Sequence, residues 1–306
     1  MELNKILVFG TSGFIGQNLL SSLNDKYDVG SSSLRDLANL EKVYQNDIVI
    51  NLVGKAHDHK GEATERDFDY ANYELVKELY TSFIKSDAML FIHISSIAAL
   101  EENGSNNALT EDMDCNPISW YGQSKHKAEE YLLNQDIPYG KKVIILRPTM
   151  VHGPGDKGNL TLLYKLISKG LPYPLANFDN QRSFLSIDNF NFIIKEIIDK
   201  SEQIDSGIYH ICDDETLATS SIISVISKVT EKKVINFSLP KSIVKGIAKV
   251  GDIVPIPLNS KRLGKMTSNL VVSNNKIKKA LGIDKLPVSA EEGLERTIRS
   301  FVARKA

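Results

Sequence analysis

A doubly wound α/β fold, a Rossmann-type parallel sheet with a smaller C-terminal substrate lobe, is the architecture this chain predicts, on three observations. Apolar runs near 5–9, 48–53, 89–94 and 143–146 alternate with helical patterns, as successive βαβ units around a parallel sheet require. The first run, Ile6-Leu7-Val8-Phe9, leads directly into Gly10-Thr11-Ser12-Gly13-Phe14-Ile15-Gly16, which reads as strand, glycine turn and helix start. A late run, Gly207-Ile208-Tyr209-His210-Ile211-Cys212, reads as a further sheet strand, followed after Thr219 by a helix through about Val229.

The glycine turn carries the first functional reading. Glycines at Gly10, Gly13 and Gly16 let the backbone turn tightly and approach a pyrophosphate. A helix starting near Phe14 and Ile15 points unpaired N–H groups and its positive dipole end at that anion, with Ser12 in the turn. This predicts a dinucleotide site. Further along, Phe91-Ile92-His93-Ile94-Ser95-Ser96 reads as a buried strand ending in hydroxyls, where open α/β sheets place their ligands. Tyr121-Gly122-Gln123-Ser124-Lys125 sets a phenol and an ammonium one helical turn apart on a shared face. A cation there is expected to lower the phenol pKa and suit it to carbonyl and alcohol chemistry.

Composition fits one enzyme with a large core: 306 residues, 42% hydrophobic, 25% charged. A formal net charge of -1 supplies no field for nucleic acid. Cys115 and Cys212 form no disulfide framework, and Met1-Glu2-Leu3-Asn4-Lys5 shows no leader pattern, so the expectation is a cytoplasmic protein. His57-Asp58-His59 lacks a third ligand at a recognisable spacing, so no metal site is read there. The patch Ile243-Val244-Lys245-Gly246-Ile247-Ala248-Lys249-Val250, followed by Ile253-Val254-Pro255-Ile256-Pro257, has apolar residues at helical spacing between lysines. It is too short to span a bilayer. A lobe helix packing on its own core is the preferred reading, a membrane-surface helix the alternative.

The G-x-x-G-x-x-G spacing, the Ser96/Tyr121/Lys125 set and Val49-Ile50-Asn51-Leu52-Val53-Gly54 together resemble the extended short-chain dehydrogenase/reductases, the NAD-dependent epimerase/dehydratase family. Further matches are Leu146-Arg147-Pro148, Val151-His152-Gly153-Pro154-Gly155 and Arg182-Ser183-Phe184-Leu185-Ser186-Ile187-Asp188, so the resemblance covers nearly the whole chain. It implies a dinucleotide-binding region at 1–147, continued by 191–229, and a substrate lobe mainly from 148–190 and 230–306. It assigns catalysis to Ser96, Tyr121 and Lys125, with Leu100 where the family has Tyr, and leaves Ser95 to satisfy backbone groups. Tyr121, Lys125, Leu52, Val53, Gly54 and Pro148 are implied to touch the cofactor as well, and Asp36-Leu37 to meet the adenine.

By register with the family, Ser33 takes the place of the acid that accepts both ribose hydroxyls of NAD. Ser32, Ser33 and Arg35 suit a 2′-phosphate, so NADP(H) is favoured and NAD(H) kept as possible. Arg182 matches the family's arginine for a nucleotide diphosphate, whose oxygens suit a guanidinium fork. Lys55, His57, Asn159 and Arg262, beside Lys261, are further substrate candidates. The resemblance is closest to bacterial O-antigen and capsule enzymes acting at C4 of UDP-linked 6-deoxy-N-acetylhexosamines. It implies a UDP-sugar 4-ketoreductase, or alternatively a 4-epimerase with retained NAD, and a homodimer through the helix bearing Tyr121. A non-catalytic binder of this fold is the competing class, and a complete Ser96/Tyr121/Lys125 set argues against it.

Overall fold

β1 (Lys5–Phe9), β2 (Asp28–Ser32), β3 (Ile48–Asn51), β4 (Leu90–Ile94), β6 (Lys142–Pro148) and β9 (Gly207–Ile211) form one parallel sheet in the order β2-β1-β3-β4-β6-β9. The computed structural model describes residues 5–56, 61–156, 158–168, 180–232, 241–254 and 260–303. β5 (Ser105–Leu109) and β7 (Met150–His152) lie outside this sheet.

The inner strands read as nearly unbroken apolar runs because helices cover both faces, and alternate residues feed two cores. Ile6, Val8, Ile50, Ile92 and Ile144 pack with Leu19 and Leu23 of α1 (Phe14–Leu23) and with Phe190 and Ile194 of α6 (Ile187–Asp199). On the other face Leu7, Phe9, Val49, Phe91 and Ile145 meet Leu79 and Phe83 of α3 (Leu75–Lys85) and Ala128 and Leu132 of α4 (Trp120–Leu133). A short α2 (Glu65–Asp69) and a π turn at Tyr70–Glu74 lead into α3.

Register decides where the chemistry falls. Phe9 pairs with Asn51 and Asn51 with His93, so the residues after β1, β3 and β4 emerge side by side. The strand order changes direction between β1 and β3, and such a switch opens a crevice at the carboxyl ends.

The second sheet runs β10-β8-β11-β5, with β7 on β8. Here β8 is Arg182–Ser186, β10 Thr216–Leu217 and β11 Leu270–Val272. A third core lies beneath it. It gathers Leu160 and Tyr164 from α5 (Asn159–Ile167), Ile222 and Ile226 from α7 (Thr219–Thr230), Val244 and Ala248 from α8 (Lys241–Gly251), Leu263 from α9 (Ser260–Thr267) and Ile298 from α11 (Ala290–Ala303). α10 (Asn275–Leu281) returns to the main sheet through Ile277 and Leu281. Among the described residues no helix is long and apolar enough to cross a membrane.

Candidate active site

Two adjoining cavities open along the ends of β1, β2 and β3. One, of about 510 Å³, is lined by Gly10, Ser12, Gly13, Ser33, Leu34, Arg35, Leu52, Val53, Gly54, Tyr70 and Leu75. The other, of about 400 Å³, runs along the end of β2 and is lined by Gly10, Thr11, Ser12, Ser31, Ser32, Ser33, Arg35, Asn39 and Lys42, with no carboxylate. Gly10 has φ +89, and a Cβ there would lie 2.8 Å from the Leu52 carbonyl carbon and the Val53 nitrogen, so a side chain would push β1 and β3 apart. Gly13 is the N-cap of α1 and no side chain caps that helix, which leaves its first amides for a ligand. Ser32 Oγ is buried with no hydrogen-bond partner among the described residues. An anion-binding helix start, a glycine cradle and an unpartnered hydroxyl all fit a dinucleotide.

Asp36 and Leu37 begin the 3-10 turn Leu37–Gln45, where the Asp36 carboxylate accepts from the Ala38 amide at 3.0 Å. Leu37 is exposed, as an adenine contact requires. Ser33 is also used locally: its Oγ accepts from the Arg35 amide at 3.2 Å and its carbonyl from Asn39 at 3.0 Å, which shapes the turn that carries exposed Arg35.

Ser96 leaves β4 as the N-cap of a 3-10 turn at Ile97–Ala99, its Oγ accepting from the Ala98 amide at 3.2 Å. α4 starts against that turn: a Cβ on Gly122 would lie 2.4 Å from the Ala98 carbonyl oxygen, so only glycine permits the approach. That close approach sets the first turn of α4, with Tyr121, against the turn that carries Ser96. Burial raises the phenol pKa, and the Glu102 and Glu129 carboxylates add to the rise against the lowering by Ser96. This corrects the expectation of a phenol lowered by Lys125. The ammonium instead donates to the Ile94 carbonyl at 2.9 Å and abuts Gly54, where an added Cβ would lie 3.1 Å from its Nζ. Burial brings Lys125 down to about 8, and the Glu129 charge partly offsets that.

A second correction concerns Ser95. Its hydroxyl serves a side chain, donating to Glu129 one turn beyond Lys125, rather than backbone groups. Arg147 of β6 closes this network from below, with Nη2 2.6 Å and Nε 3.0 Å from the two Glu129 oxygens and Nη2 3.2 Å from Cys115 Sγ. Burial would raise the Glu129 carboxyl, but the nearby His126 imidazole, 3.8 Å away, and the Arg147 hydrogen bonds hold it below the usual range. β4, α4 and β6 are thus tied at the residues flanking Ser96 and Lys125.

Several participants escaped the sequence reading. Asn72, in the π turn, accepts the Lys55 amide at 2.8 Å and donates to the Lys55 carbonyl at 3.1 Å and Ser124 Oγ at 2.9 Å, clamping the chain after Gly54 onto α4. No local pattern announces a π turn. Glu129 was visible as the next residue on the Tyr121/Lys125 face, four positions on. Lys42, Asn39 and Tyr70 reach the cavities from the turns after β2 and β3.

Of the substrate candidates, Lys55 holds its Nζ 5.7 Å from the Phe68 ring centroid. Arg182 begins β8, outside the main sheet, and donates to the Ser268 carbonyl at 3.2 Å and hydroxyl at 3.0 Å. Pro148 ends β6. His57 lies outside the described residues, as do the side chains of Asn159 and Arg262. Among the described residues no group of three or more His, Cys, Asp or Glu side chains could hold a metal ion.

A glycine-turn cavity in a Rossmann-type sheet, with a half-buried Ser96 and Tyr121 and a buried Lys125 at the neighbouring strand ends, has the layout of the short-chain dehydrogenase/reductase class. Residues 6–212 match the NAD dependent epimerase/dehydratase family, and the chain belongs to it. It is 28% identical to the UDP-glucose 4-epimerase of Vibrio cholerae over 97% of this chain and 95% of that one. It is 23% identical to the N-acetyl-alpha-D-glucosaminyl-diphospho-ditrans,octacis-undecaprenol 4-epimerase of Escherichia coli O157:H7, over 78% and 76% of the two chains. In fold it resembles the UDP-glucuronic acid 4-epimerase of Bacillus cereus in complex with NAD, with a TM-score of 0.77 at 20% identity over 99% of this chain and 100% of that one. The dTDP-4-dehydrorhamnose reductase of Bacillus anthracis in complex with NADP gives 0.73 at 18% identity over 99% and 100%.

Proposed function

We propose that this enzyme reduces the C4 ketone of a UDP-linked 4-keto-6-deoxy-N-acetylhexosamine with NADPH. The observation that carries the reading is the cavity at the end of β2, where Arg35, Lys42 and four serines meet and no carboxylate intrudes. A 2′-phosphate is stabilised by such a lining, whereas the 2′-hydroxyl of NAD gains most from an acid. A cofactor that must leave to be re-reduced fits a net reductase.

Bound in the glycine cradle, the dinucleotide supplies hydride to the sugar carbon. Ser96 hydrogen-bonds the carbonyl oxygen, and Tyr121 donates the proton that converts the developing alkoxide into the alcohol. Its raised pKa keeps the phenol protonated, the form that reduction consumes. Lys125 holds positive charge at the cleft floor and binds the nicotinamide ribose. Residues 148–190 and 230–306 are mainly the lobe that holds the sugar nucleotide, with α7 added to its core and α10 returned to the main sheet, and Arg182 is directed to the diphosphate once freed from Ser268. Dimerisation through α4 and residence in the cytoplasm complete the reading.

A second reading, a UDP-sugar 4-epimerase retaining NAD, is favoured by the Vibrio relative. Purification followed by cofactor analysis separates the two. The reductase reading expects protein free of tightly held NAD, NADPH oxidation on adding a UDP-4-keto sugar, and competitive inhibition by UDP. Retained NAD with interconversion of C4 epimers overturns it. If UDP neither inhibits nor stabilises the protein against heat, the nucleotide-sugar assignment fails.

A further inference from the structure

Among the described residues, α8 packs through one side only. Val244 and Ala248 are fully buried in the lobe core, whereas Ile243, Ile247, Val250 and Val254 are 48%, 38%, 55% and 47% exposed. Ile243, Ile247 and Val250, spaced by four and three residues, share a single stripe of the helix, and Val254, whose amide donates to the Val250 carbonyl at 2.9 Å, follows just past its end. Ile253, just past the helix, is 88% exposed. Five branched aliphatic side chains thus face outward within twelve residues, a concentration far beyond the single apolar residues normal on a surface. Lys245 and Lys249 are exposed on the same helix, and no described acid pairs with either. The surrounding sequence, 228–266, carries nine Lys and Arg against Glu231 and Asp252, in a chain whose net charge is -1.

We propose that this face of α8 docks the enzyme on an anionic lipid surface. The helix has eleven residues, about half the length needed to cross the hydrocarbon, so it lies in the plane of the headgroups. The stripe enters the acyl boundary while Lys245 and Lys249 reach the phosphates. Charge separates this occupant from a second copy of the chain. A two-fold contact through α8 would set the same basic segment against itself, whereas an anionic bilayer complements both the stripe and the lysines. Each component is small, so the attachment is reversible and weakens with salt. The proposal holds whichever diphosphate-linked sugar fills the cleft.

The test is co-sedimentation of the full chain with vesicles of phosphatidylethanolamine containing about one-third phosphatidylglycerol, against vesicles of phosphatidylcholine alone, at low and high salt. Binding is expected only to the anionic vesicles, falling about tenfold at high salt. Ile247→Glu with Val250→Glu, and separately Lys245→Glu with Lys249→Glu, should each reduce it about tenfold or more. The substituted side chains are exposed, so thermal unfolding and NADPH titration should match the parent and show intact folding. Wild-type protein that stays in the supernatant overturns the proposal. Two folded variants that bind like the parent overturn it as well. A dimer in sedimentation equilibrium that Ile247→Glu with Val250→Glu dissociates, without vesicle binding, assigns the stripe to a second copy instead.

Discussion

The floor of the cleft and the outer side of the lobe treat misplaced polarity in opposite ways. Beneath Ser96 and Lys125, charged groups are buried and held by one another: Glu129 is bonded by Ser95 and Arg147, and Lys125 by the Ile94 carbonyl. On α8, apolar groups are exposed and nothing described covers them. An unpaired charge inside the protein costs several kcal/mol and would disorder the site it underlies, so the interior is forced to completeness. An apolar stripe in water costs far less and can persist for an external surface. The difference separates residues whose positions are over-determined from residues kept available.

Tyr121→Phe should produce the largest effect. Removing the proton donor is expected to lower turnover roughly 10²- to 10⁴-fold with sugar binding little changed, and near-parental turnover would dissolve the active-site side of the comparison. Glu129→Leu should come next, costing about 3–5 kcal/mol of stability in denaturant unfolding by stranding the Arg147 guanidinium. Adding Arg147→Met should recover much of that loss. If Glu129→Leu unfolds like the parent, the floor is not over-determined.

Acid should expose the same completeness. Burial depresses His152 and His210 to about 4, and depresses His93 too, so the native state refuses protons that the unfolded chain accepts below its ordinary value of 6.5. Their contribution is fully present above 6.5 and lost as pH falls toward 4. Asp213, raised to about 6 by burial, acts oppositely, its stabilisation being present at low pH and lost as pH rises from 3.8 to 6. Three histidines outweigh one carboxyl. Denaturant midpoints measured across this window should therefore fall with acidity, by roughly 2 kcal/mol or more in all, and a flat profile would contradict neutral burial.

Smaller effects sharpen the cofactor side. Arg35→Ala with Lys42→Ala should weaken NADPH by about one to two decades in calorimetric titration, the scale of a lost charge-assisted phosphate contact, and leave NADH unchanged. Equal loss for both cofactors would remove the phosphate argument. Smallest of all, Ile247→Ala on the α8 stripe should shift stability by within about 0.5 kcal/mol, because the side chain leaves water only when something docks. A loss of core size, about 2–5 kcal/mol, would show that the stripe is already packed.

Five of the six parallel strands and the glycine turn were legible because their signals are local: buried strands need continuous apolar runs and a turn at positive φ needs Gly10, whereas the edge strand β2, Asp28–Ser32, has no such run. The Ser96 and Tyr121/Lys125 motifs were legible from the hydroxyl-ending strand and from helix periodicity. What the sequence could not decide was how those groups settle their charges. Whether Lys125 lowers the phenol depends on where its ammonium finds an acceptor, and only the meeting of β4, α4 and β3 places it on Ile94. Asn72 acts through a π turn that no spacing reveals. Arg147 became the partner of Glu129 because β6 lies beside β4, 18 residues away along the chain. For α8 the sequence specified an amphipathic helix, since period and composition reside in neighbouring residues. Which of its faces meets the core was decided by the lobe, because burial is a property of the whole assembled surface and not of the helix alone.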